Sequence, residues 1–207
     1  MSKFVERPAE MAELEQVLLR QQSCRQKIFV LHGLGGIGKT QLAVEFVRQH
    51  HRRFSSVFWL DGRSEDSLKR SIAICASRIP QGQIPEISRA YLVGSSVDVD
   101  AVVRDVMGWL SQPDNTAWLL IFDNVDRAYD LRDAAPDAYD VRRYFSGADH
   151  GSVVITTRLA RLEQLGDSQL VGKVNRDQAE AIFQNWYKGK YGKAQCTRMR
   201  IMCVNRS

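Results

Sequence analysis

Apolar positions along this chain change rhythm several times, and each change marks an element. Residues 4–19 read as a short lead-in and a helix, with Pro8 suited to a first turn and Met11, Leu14, Val17 and Leu18 at helical spacing. Residues 27–32 carry an unbroken Ile-Phe-Val-Leu run that stops at glycine, the pattern of a buried strand. A helix follows over residues 39–50, with Leu42, Ala43, Phe46 and Val47 on one side. Val57-Phe58-Trp59-Leu60 gives a second strand, and residues 64–79 a helix with Ser64 as N-cap and Pro80 just past its end. Pro, Gly and Ser mark residues 80–96 as a long loop, which leads to a helix over residues 97–111. Residues 118–122 are a wholly apolar third strand ending at Asp123, and residues 124–150 are charged and irregular, with one short helix near 140–145. A fourth strand is predicted over 152–156 and a short fifth over 170–174. A helix over 176–188 closes the pattern, with Ala179, Ile182, Phe183 and Trp186 on its apolar side.

Strands alternating with helices predict an α/β fold. A parallel sheet of about five strands is covered by helices on both faces, in three layers with right-handed crossovers. The 207 residues fit one such domain, placed at 1–190, with a basic atypical tail over 191–207 expected to be disordered or artefactual. No internal repeat and no low-complexity segment interrupts it.

Charge and cysteine content narrow the class further. The net charge is +5, but Lys188, Lys190, Lys193, Arg198, Arg200 and Arg206 all lie within residues 186–207, where there is no acid. The body is therefore close to neutral, which argues against a nucleic-acid partner, since a basic binding face should lie on the folded part. Cys24, Cys75, Cys196 and Cys203 sit far apart, without zinc or redox spacing, and fit a reducing, cytoplasmic setting. Glu6, Glu10, Glu13 and Glu15 break up what would be a signal peptide, and no run of about 18 apolar residues offers a membrane span. His32, His50, His51 and His150 form no ligand cluster; His50 and His51 suit a helix end and His32 suits the core.

The chemistry concentrates at Gly33-Leu34-Gly35-Gly36-Ile37-Gly38-Lys39-Thr40, which meets the phosphate-loop spacing through Gly33, Gly38, Lys39 and Thr40. Gly35, Gly36 and Gly38 let the backbone turn tightly and bring bare N–H groups against phosphates. The helix that begins here adds the positive end of its dipole. Lys39 would reach the β- and γ-phosphates, Thr40 would place its hydroxyl on magnesium, and Ile37 and Gln41 complete the cofactor-binding set. With a buried strand before it and a helix after it, the motif predicts a P-loop NTPase fold that binds ATP or ADP with Mg2+. No Asn/Thr-Lys-x-Asp guanine motif is present, which favours adenine.

Two further strand ends point to the same edge. Residues 118–122 deliver Asp123 where parallel sheets bind ligands, so Asp123 is the candidate magnesium partner; the competing reading is that it only opens a turn. Val153-Val154-Ile155 delivers Thr156, Thr157 and Arg158, and Arg158 would hydrogen-bond a γ-phosphate bidentately unless it caps a helix or pairs with Glu163.

Together these residues resemble the NB-ARC ATPases, the signal-transducing P-loop proteins that include apoptosome scaffolds, plant disease-resistance proteins and fungal NOD-like receptors. Phe4-Val5-Glu6-Arg7 looks like the family's opening motif, which implies that Val5 and Arg7 lie against adenine, although the family usually has glycine where Glu6 stands. Residues 119–123 look like its Walker B strand and 154–158 like its sensor strand, with Thr157 and Arg158 as γ-phosphate readers. The wording of Phe58-Trp59-Leu60-Asp61 and Ile121-Phe122-Asp123-Asn124 is most similar to fungal members, and the resemblance spans about residues 4–190.

The resemblance implies an ATP/ADP-binding switch module of a NOD-like receptor, in innate immunity or heterokaryon incompatibility, with homo-oligomers or full-length receptor relatives as partners. Asp123 and Asn124 hold the catalytic positions, but the family often has a second acid where Asn124 stands. An amide orients water without taking its proton, so hydrolysis is expected to be slow or absent. The family's later Gly-Leu-Pro-Leu and His-Asp motifs do not occur, and residues 194–207 look unlike what the family places there, so the expectation is a chain truncated after the nucleotide-binding domain. The alternatives are an autonomous small NTPase, which would need a general base and an acceptor site, or a non-catalytic fragment that modulates full-length receptors.

Overall fold

The computed structural model describes residues 5–20, 25–93, 97–127 and 138–191. Phe4, Cys24, Cys196, Cys203 and residues 192–207 of the basic tail lie outside them. The chain divides into two units, Ala9–Val171 and Met1–Pro8 with Gly172–Ser207.

In the larger unit five strands build one parallel sheet: β1 Lys27–His32, β2 Ser56–Asp61, β3 Trp118–Asp123, β4 Ser152–Thr157 and β5 Asp167–Leu170. Their order is β2-β3-β4-β1-β5, so β4 lies between β1 and β3. The register pairs Asp61 with Asp123 across β2 and β3, and His32 with Thr157 across β1 and β4. All six residues of β3 and of β4 are buried, as their nearly continuous apolar runs require in strands covered on both faces.

Side chains alternate between the two faces. Phe58, Leu60, Leu120, Phe122, Val153 and Ile155 join one core with Leu68 and Ile72 of α3 (Glu65–Cys75) and Val102, Val106 and Trp109 of α5 (Val99–Leu110). Phe29, Leu31, Leu119, Ile121 and Val154 occupy the alternate positions and are equally buried. So are Leu14 and Leu18 of α1 (Pro8–Leu18) and Leu42 and Phe46 of α2 (Lys39–His50).

Local chemistry sets the helix starts. Ser64 caps α3 by accepting from the Ser67 N–H at 3.2 Å, and Asp98 caps α5 by accepting from the Asp100 N–H at 3.0 Å. Three expectations shift. The helix over 64–79 ends its α-helical part at Cys75 and tightens into a 3-10 turn at Ala76–Arg78, just before Pro80. The loop over 80–96 contains a short helix, α4 (Glu86–Arg89), where the buried Ser88 hydroxyl donates to Asp105 at 2.5 Å and Ile84 enters the core. The fifth strand runs over Asp167–Leu170 rather than 170–174, because an exposed edge strand of sequence Asp-Ser-Gln-Leu carries no apolar signal.

In the smaller unit, α6 (Arg176–Tyr191) opens on a reciprocal cap. Asn175 Oδ1 accepts from the Gln178 N–H at 2.8 Å, and Gln178 Oε1 accepts from the Asn175 N–H at 3.0 Å. Ile182 and Phe183 of this helix are exposed, not the core side that their spacing suggested. Arg7 is buried and donates from Nη1 to the Gly172 carbonyl at 3.0 Å, while Gln178 Nε2 donates to the Glu6 carbonyl at 3.0 Å.

Candidate nucleotide-binding site

The loop between β1 and α2 is a glycine turn closed from inside by its own lysine. Gly36 and Gly38 hold φ of 73° and 102°, a left-handed backbone that side chains with a Cβ rarely adopt. Gly38 sits at the N-cap of α2 without a side-chain cap, so the helix dipole opens directly onto the loop. The Ile37 N–H donates to the Leu34 carbonyl at 3.4 Å, which folds the turn. Lys39 is buried, and its Nζ donates to the Gly33 carbonyl at 2.8 Å and the Leu34 carbonyl at 2.9 Å. Burial pushes the Lys39 pKa down from its usual value; Asp126 and Asp123 oppose this, and Arg158 adds to it.

Beside the loop, β3 ends in a carboxylate with an organised shell. Asp123 Oδ1 accepts from the Thr40 hydroxyl at 2.8 Å and from the Thr156 hydroxyl at 2.6 Å, and Oδ2 accepts from Asn124 Nδ2 at 3.2 Å. The Asn124 N–H donates to Thr156 Oγ1 at 2.9 Å, and Asn124 itself holds φ of 62°, a conformation asparagine tolerates. The Thr40 hydroxyl and the Asp123 carboxylate are adjacent hard oxygen donors, the set Mg2+ takes alongside phosphate and water. Among the described residues no group of three or more His, Cys, Asp and Glu could hold a metal by itself.

The loop, Lys39, Thr40 and Asn124 face a cleft of about 680 Å³ lined by Gly35, Gly36, Gly38, Lys39, Thr40, Gln41, Arg63, Asn124, Asp126, Arg127 and Arg158; Asp123 is buried and reaches it only through its bonds to Thr40 and Asn124. Among the described residues, four of the lining side chains are cations and one is an acid, a balance suited to a polyphosphate. Arg63 donates to Asp61 from Nε at 2.9 Å and from Nη2 at 2.5 Å, which holds the Asp61 carboxyl below its usual range.

Sequence reasoning and geometry part at several positions. Thr157, expected beside Arg158 as a phosphate reader, is fully buried; its hydroxyl donates to the Val125 carbonyl at 2.6 Å and accepts from the Leu159 N–H at 3.0 Å. Arg158 pairs with Asp126 and not with Glu163, which lies 3.7 Å from His32. Gly33 and Ile37 shape the loop without lining the cleft. Val5 and Arg7 belong to the smaller unit, Val5 half-buried and Arg7 buried. Thr156 was expected at this edge but its bond to Asp123 was not foreseen, nor was the place of Arg63 and Arg127 in the cleft lining. Only the register of β4 against β3 brings Thr156 to Asp123, and no spacing rule in a single sequence supplies that register.

A glycine loop that feeds a helix at the carboxyl edge of a parallel sheet, with an acid on a nearby strand, defines a P-loop nucleotide-binding domain. Residues 7–184 match the NB-ARC domain, and the chain belongs to that family. It is similar to a nucleotide-binding leucine-rich repeat (NLR)-like protein of Hyaloscypha variabilis, with 27% identity over 169 residues. That match covers 76% of this chain and 16% of the relative, so the chain spans a small part of the relative's length. Among solved structures, Cdc6p from Pyrobaculum aerophilum superposes with a TM-score of 0.58 at 16% identity, over 91% of this chain and 52% of that one. The Orc1 protein of Aeropyrum pernix, solved in complex with DNA, gives 0.56 at 18% identity, over 91% of this chain and 51% of its own. At these identities the likeness shows the fold alone. No helix among the described residues is long and apolar enough to cross a membrane.

Proposed function

We propose that this domain is an adenine-nucleotide switch module: it binds ADP or ATP with magnesium at the glycine loop and hydrolyses ATP slowly or not at all. The observation that carries this reading is the convergence of Lys39, Thr40 and the start of α2 on one cleft rich in cations, with the buried Asp123 hydrogen-bonded to Thr40. Loop N–H groups and Lys39 would hold the β-phosphate, and Arg158 would meet the γ-phosphate. Thr40 and Asp123 would hold the magnesium ion, which would supply charge that neutralises the phosphates. Slow turnover follows from the acids at hand. Asn124 takes no proton, and both carboxylate oxygens of Asp126, the one acid lining the cleft among the described residues, are engaged by Arg158. In a longer protein like the NLR-like relative, nucleotide state would control self-association or contact with full-length receptors, in immune or incompatibility signalling within the cytoplasm.

Fluorescent ADP titrated in magnesium buffer, with ADP, ATP and GDP as competitors, tests the specificity, and phosphate release tests turnover. The expected result is saturable binding displaced by adenine nucleotides, with GDP at least about tenfold weaker. Phosphate release should be slow, at or little above that of Lys39→Ala. Equal competition by GDP, or steady fast hydrolysis, would sink this reading.

A further inference from the structure

The loop leaving β3 is fastened rung by rung to the residues that end β4 and follow it. The Asn124 N–H donates to Thr156 Oγ1 at 2.9 Å, the Val125 N–H to the Thr156 carbonyl at 2.9 Å, and the Thr157 hydroxyl to the Val125 carbonyl at 2.6 Å. The last rung is ionic: Asp126 Oδ1 accepts from the Arg158 backbone N–H and Oδ2 from Arg158 Nε–H, both at 2.6 Å. The Asp126 side chain is 17% exposed and that of Arg158 61%.

The grip falls on the near end of the guanidinium. A guanidinium presents its N–H groups in one rigid plane, so a bond at Nε fixes that plane and turns the Nη edge outward. That edge runs beside the phosphate loop: a Cβ built on Gly35 would lie 3.5 Å from Arg158 Cδ and 3.9 Å from Nη1.

From this geometry we infer that Asp126 is a positioning residue for nucleotide discrimination, aiming Arg158 at the terminal phosphate that ATP has and ADP lacks. The inference rests on the adenine-nucleotide reading of the cleft. An exposed arginine left to itself loses rotamer entropy when it meets a ligand, and a side chain already held by its Nε loses less. Asp126 is also the foremost charge opposing the lowered pKa of Lys39. An effect through Lys39 weakens both nucleotides, whereas an effect through Arg158 falls on ATP, so the ratio of the two affinities separates them.

The test titrates ADP and a non-hydrolysable ATP analogue, with magnesium, into wild type, Asp126→Ala, Asp126→Asn, Arg158→Ala and the Asp126→Ala/Arg158→Ala double variant. Asp126→Ala and Arg158→Ala should each lower the ATP-to-ADP affinity ratio about tenfold, and the double variant no further. Asp126→Asn keeps the shape without the charge and should also lower the ratio, which guards against a folding defect in the alanine variant. A ratio that ignores Asp126 while ADP still binds, or losses that add in the double variant, overturns this inference alone. A wild type that binds neither nucleotide overturns the adenine reading and this inference with it.

Discussion

Asp123 shows how much of the site hangs on single atoms. Its Oδ1 receives two hydroxyls, and one of these, from Thr156, also accepts the Asn124 N–H. Thr156→Val keeps the volume but removes one of the two hydroxyls that Asp123 Oδ1 accepts and leaves the Asn124 N–H without its acceptor. It should cost about 1–3 kcal/mol in urea unfolding and weaken the magnesium dependence of nucleotide binding. Lys39, the glycines and Asp123 were legible in the sequence because phosphate loops and strand-end acids are local patterns. The paired threonines were not. Thr156 and Thr157 look alike in the chain, but strand alternation sends their hydroxyls to different partners, one to Asp123 and the other to the Val125 carbonyl. The role of Asp126 was equally hidden, since it depends on two loops that meet in space.

At the scale of elements, the apolar strands declared themselves, β2 at one edge included, while the polar edge strand β5 did not show its bounds. The unbroken apolar runs of β1, β3 and β4 have no other stable placement than the middle of a parallel sheet. Leu120, at 1% exposure in β3, packs in the core shared with α3 and α5. Leu120→Ala should lower unfolding free energy by about 2–5 kcal/mol, read from the shift of the urea midpoint at constant slope. Ser64→Ala removes the α3 cap and should cost about 1 kcal/mol by the same measure. The bounds of β5 and the existence of α4 escaped the sequence because each is short and polar, and neighbours rather than periodicity hold it in place. β5 borrows its ladder from β1, and Ser88 of α4 donates to Asp105 of α5.

Over the larger unit, two local ion pairs set an acid limit. Hydrogen bonds from Arg63 to Asp61 and from Arg142 to Asp140 hold both carboxyls below their ordinary value of 3.8. A carboxyl depressed by folding contributes stability that is complete above its unfolded pKa and is lost as pH falls through the folded one. Unfolding free energy from these pairs should therefore stay level above about pH 5 and decline below about pH 4, with a shallower decline in Asp61→Asn and Asp140→Asn. The alternation of strands and helices foresaw the α/β class, and the five-stranded parallel sheet shows it. The division into two units was not foreseen, because nothing in the apolar pattern near Val171 marks a break. The most direct measurement is calorimetric titration of Mg·ADP into the wild-type protein and into Lys39→Ala, both shown folded by circular dichroism. Saturable heat at one site in the wild type, reduced at least about tenfold in the variant, is the result expected of this cradle. Equal affinity in both folded proteins, or no binding by either, would contradict it.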